Sequence, residues 1–144
     1  DSARQIAAIA PVLVNNAGQL NLTRLRTELA ELGLENRLSW AIESTLRAIE
    51  LDSNDVLPAD WRLKYRRAAL IIETFFQPAL IVAGPTENPT APPRYDVLDA
   101  GITTQEGLAE VLAELPPIAR RWRIATRIEV DDFVRALRGA RGVN

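Results

Sequence analysis

Glu106, Glu110 and Glu114 stand four residues apart, which puts three carboxylates on one helical face. Carboxylates do acid–base work or hold a hard cation only when they converge with partners or leave water. A lone stripe of this kind reads first as a solvated acidic face. Arg120, Arg121, Arg123 and Arg127 follow it, and closely spaced guanidinium groups suit phosphate. A second basic patch, Arg62, Lys64, Arg66 and Arg67, has Trp61 and Tyr65 interleaved. Those residue types hold a phosphate backbone and stack a base. The same alternation also describes an amphipathic helix whose arginine stems cover the edge of a core. Asp52-Ser53-Asn54-Asp55 lacks the glycine and the distal glutamate of a calcium loop and reads as helix capping.

The chain has no histidine, cysteine or methionine. The commonest general base and metal ligand is therefore absent, as are thiolate nucleophiles, disulfides and cysteine-based metal sites. Carboxylates, Lys64, Tyr65 and Tyr95 remain for acid–base work. Among Glu28, Glu31, Glu43, Glu50 and Glu73 no convergent set stands out. The expectation is a non-catalytic protein with no catalytic residue, no metal site and no cofactor. Val12-Leu13-Val14-Asn15-Asn16-Ala17-Gly18 matches the Asn-Asn-Ala-Gly stretch of short-chain dehydrogenases. No glycine-rich phosphate turn precedes it, and Ala69 stands four residues after Tyr65 where that family needs lysine, so nicotinamide binding has no physical basis.

These residues need elements to position them. The 144 residues fit one domain, or one domain with an appendage, and 47% hydrophobic content is enough for a core. Ile6, Ile9 and Leu13 have helical spacing that Pro11 limits, and residues 15–18 read as a turn. Asn21 caps a helix bearing Leu22, Leu25, Leu29 and Leu32, which Gly33 stops. Leu38, Ile42, Leu46 and Ile49 mark the next helix, ending at residues 52–55. Pro58-Ala59-Asp60 starts another, with Trp61, Tyr65, Ala68, Ala69, Ile72, Phe75 and Phe76 as its apolar side. Gln77-Pro78 kinks or ends it, and residues 80–82 suit a strand or a last helical turn. Four prolines within 84–93 mark a linker or surface arm. Residues 95–98 suit an extended segment. Thr103 or Thr104 caps a helix with Leu108, Val111, Leu112 and Leu115, and Glu106 sits near the capping-box position. Pro116-Pro117 ends it and opens a helix carrying Ile118, Trp122 and Ala125. A last helix with Val130, Phe133, Val134 and Leu137 is capped by Glu129 or Asp131 and stopped by Gly139.

The fold class expected is all-α, with five to six helices. Residues 1–83 form a compact bundle of about three helices, 84–93 a proline-rich connector or arm, and 94–144 a small helical unit.

Charge is uneven. Residues 81–115 carry one basic and six acidic groups, and residues 116–144 carry seven arginines against three acids. That pattern suits either an anion-facing end or internal pairing.

Thr104-Gln105-Glu106-Gly107-Leu108-Ala109, with Ile118 and Arg120-Arg121-Trp122 later, resembles the helix-turn-helix of Cro-type bacterial and phage repressors over residues 104–123. Ala113 replaces the family's turn glycine, and Pro116-Pro117 occupies the turn. The resemblance implies a transcription regulator, repressor- or antitoxin-like. It would bind DNA through Arg120, Arg121, Arg123 and Arg127 and a protein partner through the N-terminal helices. The alternative is an interaction or assembly module, a homodimer or complex subunit, in which acidic and basic blocks mate between protomers. No basic region of any weight precedes the apolar stretch of residues 6–14, and the apolar run of 68–84 is interrupted by Glu73, Gln77 and Pro78. The expectation is a cytoplasmic protein without a secretory signal or a membrane partner.

Overall fold

Pro11 sets the first break in the chain. It has no N–H for the Ala7 carbonyl and its ring crowds that oxygen, so the helical path is interrupted at Ala8. Two helices result, α1 (Ser2–Ala7) and α2 (Ile9–Asn16), with Pro11 in the first turn of α2, where an N–H is not needed. The computed structural model describes residues 2–54, 56–82, 95–99 and 101–143. The linker expected at 84–93 lies outside the described residues. Asn15 and Asn16 were expected in a turn but belong to α2, where their side-chain amides donate to the carbonyls of Pro11 and Val12 at 3.0 and 2.9 Å.

Asn21 caps α3 (Leu22–Glu31), its side chain accepting from the Arg24 N–H. Gly33, at φ +71°, turns the chain out of α3. The Leu34 and Gly33 N–H groups close onto the carbonyls of Leu29 and Ala30 at 2.8 and 3.1 Å. Then α4 (Glu35–Asp52) begins, and α5 (Ala59–Val82) starts where Pro58-Ala59-Asp60 suggests. α5 runs past Pro78, so residues 80–82 are helical.

Asp96–Val97 forms β1, followed by α6 (Gln105–Ala113), α7 (Pro117–Trp122), β2 (Ile124–Ala125) and α8 (Val130–Ala140). The Thr104 side chain accepts from the Gly107 N–H at 2.9 Å. Thr104 as cap makes Gly107 the third helical residue, so Glu106 falls one position short of a capping box. A Cβ at Gly107 would sit 3.0 Å from Thr104 Oγ1, which favours glycine there. Glu129 and Asp132 form a reciprocal capping box at the start of α8.

Two expected helix ends move. α7 stops at Trp122 rather than carrying Ala125, because Arg123 takes left-handed geometry at φ 55°. The chain then extends, and Ile124–Ala125 pairs in parallel with Asp96–Val97. Gly139 stays inside α8. The residue with positive φ is Gly142, and the Val143 N–H closes onto the Arg138 carbonyl at 2.9 Å.

The architecture is all-α apart from that short strand pair. Among the described residues there are eight helices, more than the five to six expected, and five of them precede residue 83. α4 is the central element, packed by α2, α3, α5, α7 and α8. Trp40 of α4 meets Phe133 of α8 edge to face, with ring centroids 5.5 Å apart. One hydrophobic core joins residues from both ends of the chain, including Leu13, Ile42, Ile72, Trp122, Ile124 and Leu137. No described helix is long and apolar enough to cross a membrane.

Candidate functional site

The C-terminal arginines are brought to one region and used in different ways. Arg121 donates to Glu43 of α4 at 3.2 Å, and the Trp122 indole N–H donates to the same carboxylate at 2.7 Å. Arg123 lies over the Tyr95 ring, 5.6 Å from its centroid. Arg120 reaches back to the Leu115 carbonyl at 3.5 Å. Arg127 approaches Glu110 at 3.8 Å with both side chains mostly in water, so that pair contributes little. Glu110 thus meets one of these arginines, while Glu106 on α6 and Glu114 just past its end stand exposed.

The α5 patch divides by face. Tyr65, Ala68, Ile72 and Phe75 are buried, while Arg62, Leu63, Arg66, Arg67 and Leu70 face solvent. Lys64 sits over the Trp61 ring at 4.4 Å, and Arg62 donates to the Leu57 carbonyl at 2.9 Å. Arg66 and Arg67 form no hydrogen bond or ion pair through their side chains among the described residues. Leu63 and Leu70, on that same face, remain 56% and 59% exposed.

A polar cluster deeper in the molecule was not foreseen. Asp52, in the last turn of α4, has no exposed surface. Its carboxylate accepts from the Tyr65 hydroxyl at 2.6 Å, from Arg138 Nε at 3.0 Å and from Arg141 Nη2 at 2.8 Å. Burial alone would raise the Asp52 pKa, but these three donors outweigh it and hold the carboxyl below its ordinary value. Burial first, and then the bond to Asp52, push the Tyr65 hydroxyl well above its own ordinary value. Near neutral pH the carboxylate stays charged and the phenol stays protonated. The cluster ties the end of α4 to α5 and to the C-terminal end of α8.

The sequence carried one usable signal for it. Arg141 stands four residues after Leu137 and seven after Val134, on the buried stripe of α8. A cation on such a stripe needs a buried counter-ion.

One further tie joins the chain ends and another holds the C-terminal segment to itself. Arg37 of α4 holds Asp96 of β1 through two parallel hydrogen bonds, the Nη2 one at 2.7 Å. Asp99 accepts from the Thr126 hydroxyl at 2.7 Å and from the Arg127 backbone N–H at 3.0 Å. Among the described residues no group of three or more acidic side chains gathers to hold a metal ion.

Comparison with known proteins adds no relative: no family model, no curated protein and no solved structure matches this chain.

Proposed function

We propose that this chain is a non-catalytic assembly module, in which the arginine–leucine face of α5 on one copy docks the glutamate–alanine face of α6 on another. The observation that carries this reading is the pair of exposed leucines, Leu63 and Leu70, set among Arg66 and Arg67, two exposed cations whose side chains pair with none of the described residues. α6 offers the complement. It buries Val111 and turns Glu106, Ala109, Glu110, Ala113 and Glu114 outward. The alanines leave room for leucine side chains, and the glutamates flank them where the arginines would lie. Covering two half-exposed leucines contributes about 1 kcal/mol each, and each exposed ion pair up to about 1 kcal/mol. Such an interface is salt-sensitive and weak singly. Because the two faces differ, each copy offers one face to a second copy and the other to a third, and mass grows with concentration until the contacts close on themselves, as a reciprocal two-fold dimer or a ring.

Sedimentation velocity at rising protein concentration tests this. Mass increases at about 50 mM salt and falls back towards the monomer at about 500 mM. Arg66→Glu/Arg67→Glu stays monomeric, and so does Glu106→Arg/Glu110→Arg, whereas mixing the two restores association, because each α5 face of one variant then meets an α6 face of opposite charge on the other. A wild-type monomer at every concentration in low salt overturns the reading.

A second reading, duplex DNA binding by Arg120, Arg121, Arg123 and Arg127 as in a repressor or antitoxin, is favoured by one observation. Arg120 and Arg127 are exposed beside the helix pair α6–α7. Fluorescence anisotropy with a duplex would give binding that weakens steeply between about 50 and about 200 mM salt. No binding at the lower salt would overturn it.

A further inference from the structure

A cleft of about 720 Å³ lies where α1 and α2 meet α8. Its size falls in the range of small-molecule sites. Three arginines line it, Arg4 from α1 and Arg135 and Arg138 from α8. The walls between them are small and apolar: Ala8, Ala136 and Gly139. A Cβ added at Gly139 would meet nothing within 4 Å, so the floor of the cleft is open there.

Among the described residues the charges in the cleft are not balanced from within. Arg138 gives its Nε–H to the buried Asp52, which orients the guanidinium, and its two terminal nitrogens meet no acceptor among the described residues. Arg4 makes no side-chain hydrogen bond or ion pair among the described residues. Among the described residues Asp132 is the one carboxylate in the lining, and both its oxygens are engaged, one by the Glu129 N–H at 2.8 Å and the other by Arg135 at 3.2 Å. The carbonyls of Leu137, Arg138 and Gly139 are also taken, by the N–H groups of Arg141, Gly142 and Val143. Among the described residues, what faces the cleft is chiefly cationic donor capacity over apolar walls.

We propose that this cleft binds a small organic anion, with its carboxylate or phosphate group held by Arg138 and Arg4 and its apolar body against Ala8, Ala136 and Gly139. Arg138 supplies a guanidinium already oriented by Asp52, so little ordering remains to be done on binding. Arg4, exposed on α1, reaches the anion from the other side of the cleft. The site stands apart from the α5 and α6 faces and does not depend on assembly.

Titration calorimetry with phenyl phosphate, inorganic phosphate and benzoate tests the proposal. The Arg66→Glu/Arg67→Glu chain is used, so that self-association does not contribute heat. Phenyl phosphate is expected to bind saturably with Kd near 1 mM or tighter, about tenfold more tightly than inorganic phosphate, because the phenyl ring buries against the alanines. Benzoate binding alone would assign the site to carboxylates, and phosphate-ester binding alone to phosphates. Gly139→Leu fills the cleft while favouring the helix, and weakens phenyl phosphate at least about tenfold. Arg4→Gln, on an exposed side chain with no packing role, weakens it about fivefold with circular dichroism unchanged. No saturable binding of any of the three probes up to about 10 mM overturns the proposal, and so does binding that neither variant changes.

Discussion

Asp52 lies in the last turn of α4, where the helix dipole disfavours a negative charge, and it is fully buried there. Only its three donors make that position tolerable. Removing the charge is therefore expected to cost more than removing a donor. Asp52→Asn leaves the nearly buried Arg141 without its counter-ion and should destabilise by about 3–5 kcal/mol, whereas Tyr65→Phe should cost about 1.5–3 kcal/mol. Urea midpoints measure both, and equal losses would mean the arginines re-pair elsewhere. The pH dependence has two limbs. The folded-state pKa of Asp52 is lowered, so its contribution is complete above the ordinary carboxylate value near 3.9 and is lost as pH falls through the depressed value. That of Tyr65 is raised, so its contribution is complete below about 10 and is lost as pH climbs towards the folded-state value. Tyr65→Phe should remove the alkaline limb and keep the acid one, which stability measured against pH would show. None of this was legible in the residues around Asp52. Asp-Ser-Asn-Asp looks like a helix end, and it is one. The buried role comes from arginines that stand 86 and 89 residues further along the chain.

Helix boundaries were legible wherever a cap or a proline acts locally. Asn21, Thr104 and the Glu129–Asp132 pair each satisfy backbone groups within a few residues, and Pro117 removes an unpaired N–H from a first turn, so their patterns carry their meaning. The strand pair was half legible. Residues 95–98 looked extended, but Ile124–Ala125 has a continuing helical pattern before it, and two residues show no period. It extends because Arg123 leaves the helix and because Asp96 is anchored to Arg37. The glycines separate the two cases. Gly33 sits at positive φ in a turn that needs it, so Gly33→Ala should cost about 1 kcal/mol. Gly139 is inside α8 with open space at its Cβ, so Gly139→Ala should stabilise by about 0.5–1 kcal/mol. Thermal midpoints of the two variants should move in opposite directions. A gain at Gly33 would show that its turn tolerates another backbone path.

Across the whole molecule, composition hinted at internal charge pairing but not at its partners. The arginine-rich end looked matched to the acidic stretch just before it, yet the stronger ties run to α4. Glu43 takes Arg121 and Trp122, Asp52 takes Arg138 and Arg141, and Arg37 returns the favour to Asp96. These pairs lie 59 to 89 residues apart in sequence, beyond the reach of any local pattern. They cross the same boundary as the apolar core, in which α8 packs on α1, α2 and α4. The two ends of the chain should then unfold as a unit. Urea unfolding followed by far-ultraviolet circular dichroism and by tryptophan fluorescence should give one midpoint, with a slope of about 1–3 kcal/mol per molar urea. Trp40 and Trp122 are buried in that common core and Trp61 lies on α5, so fluorescence samples both ends. Glu43→Gln should lower the shared midpoint without splitting the transition, because the core still spans the boundary after one tie is weakened. Two resolved transitions in the wild type would mean that the segments on either side of residues 84–93 fold separately and that their polar ties form only after each has folded.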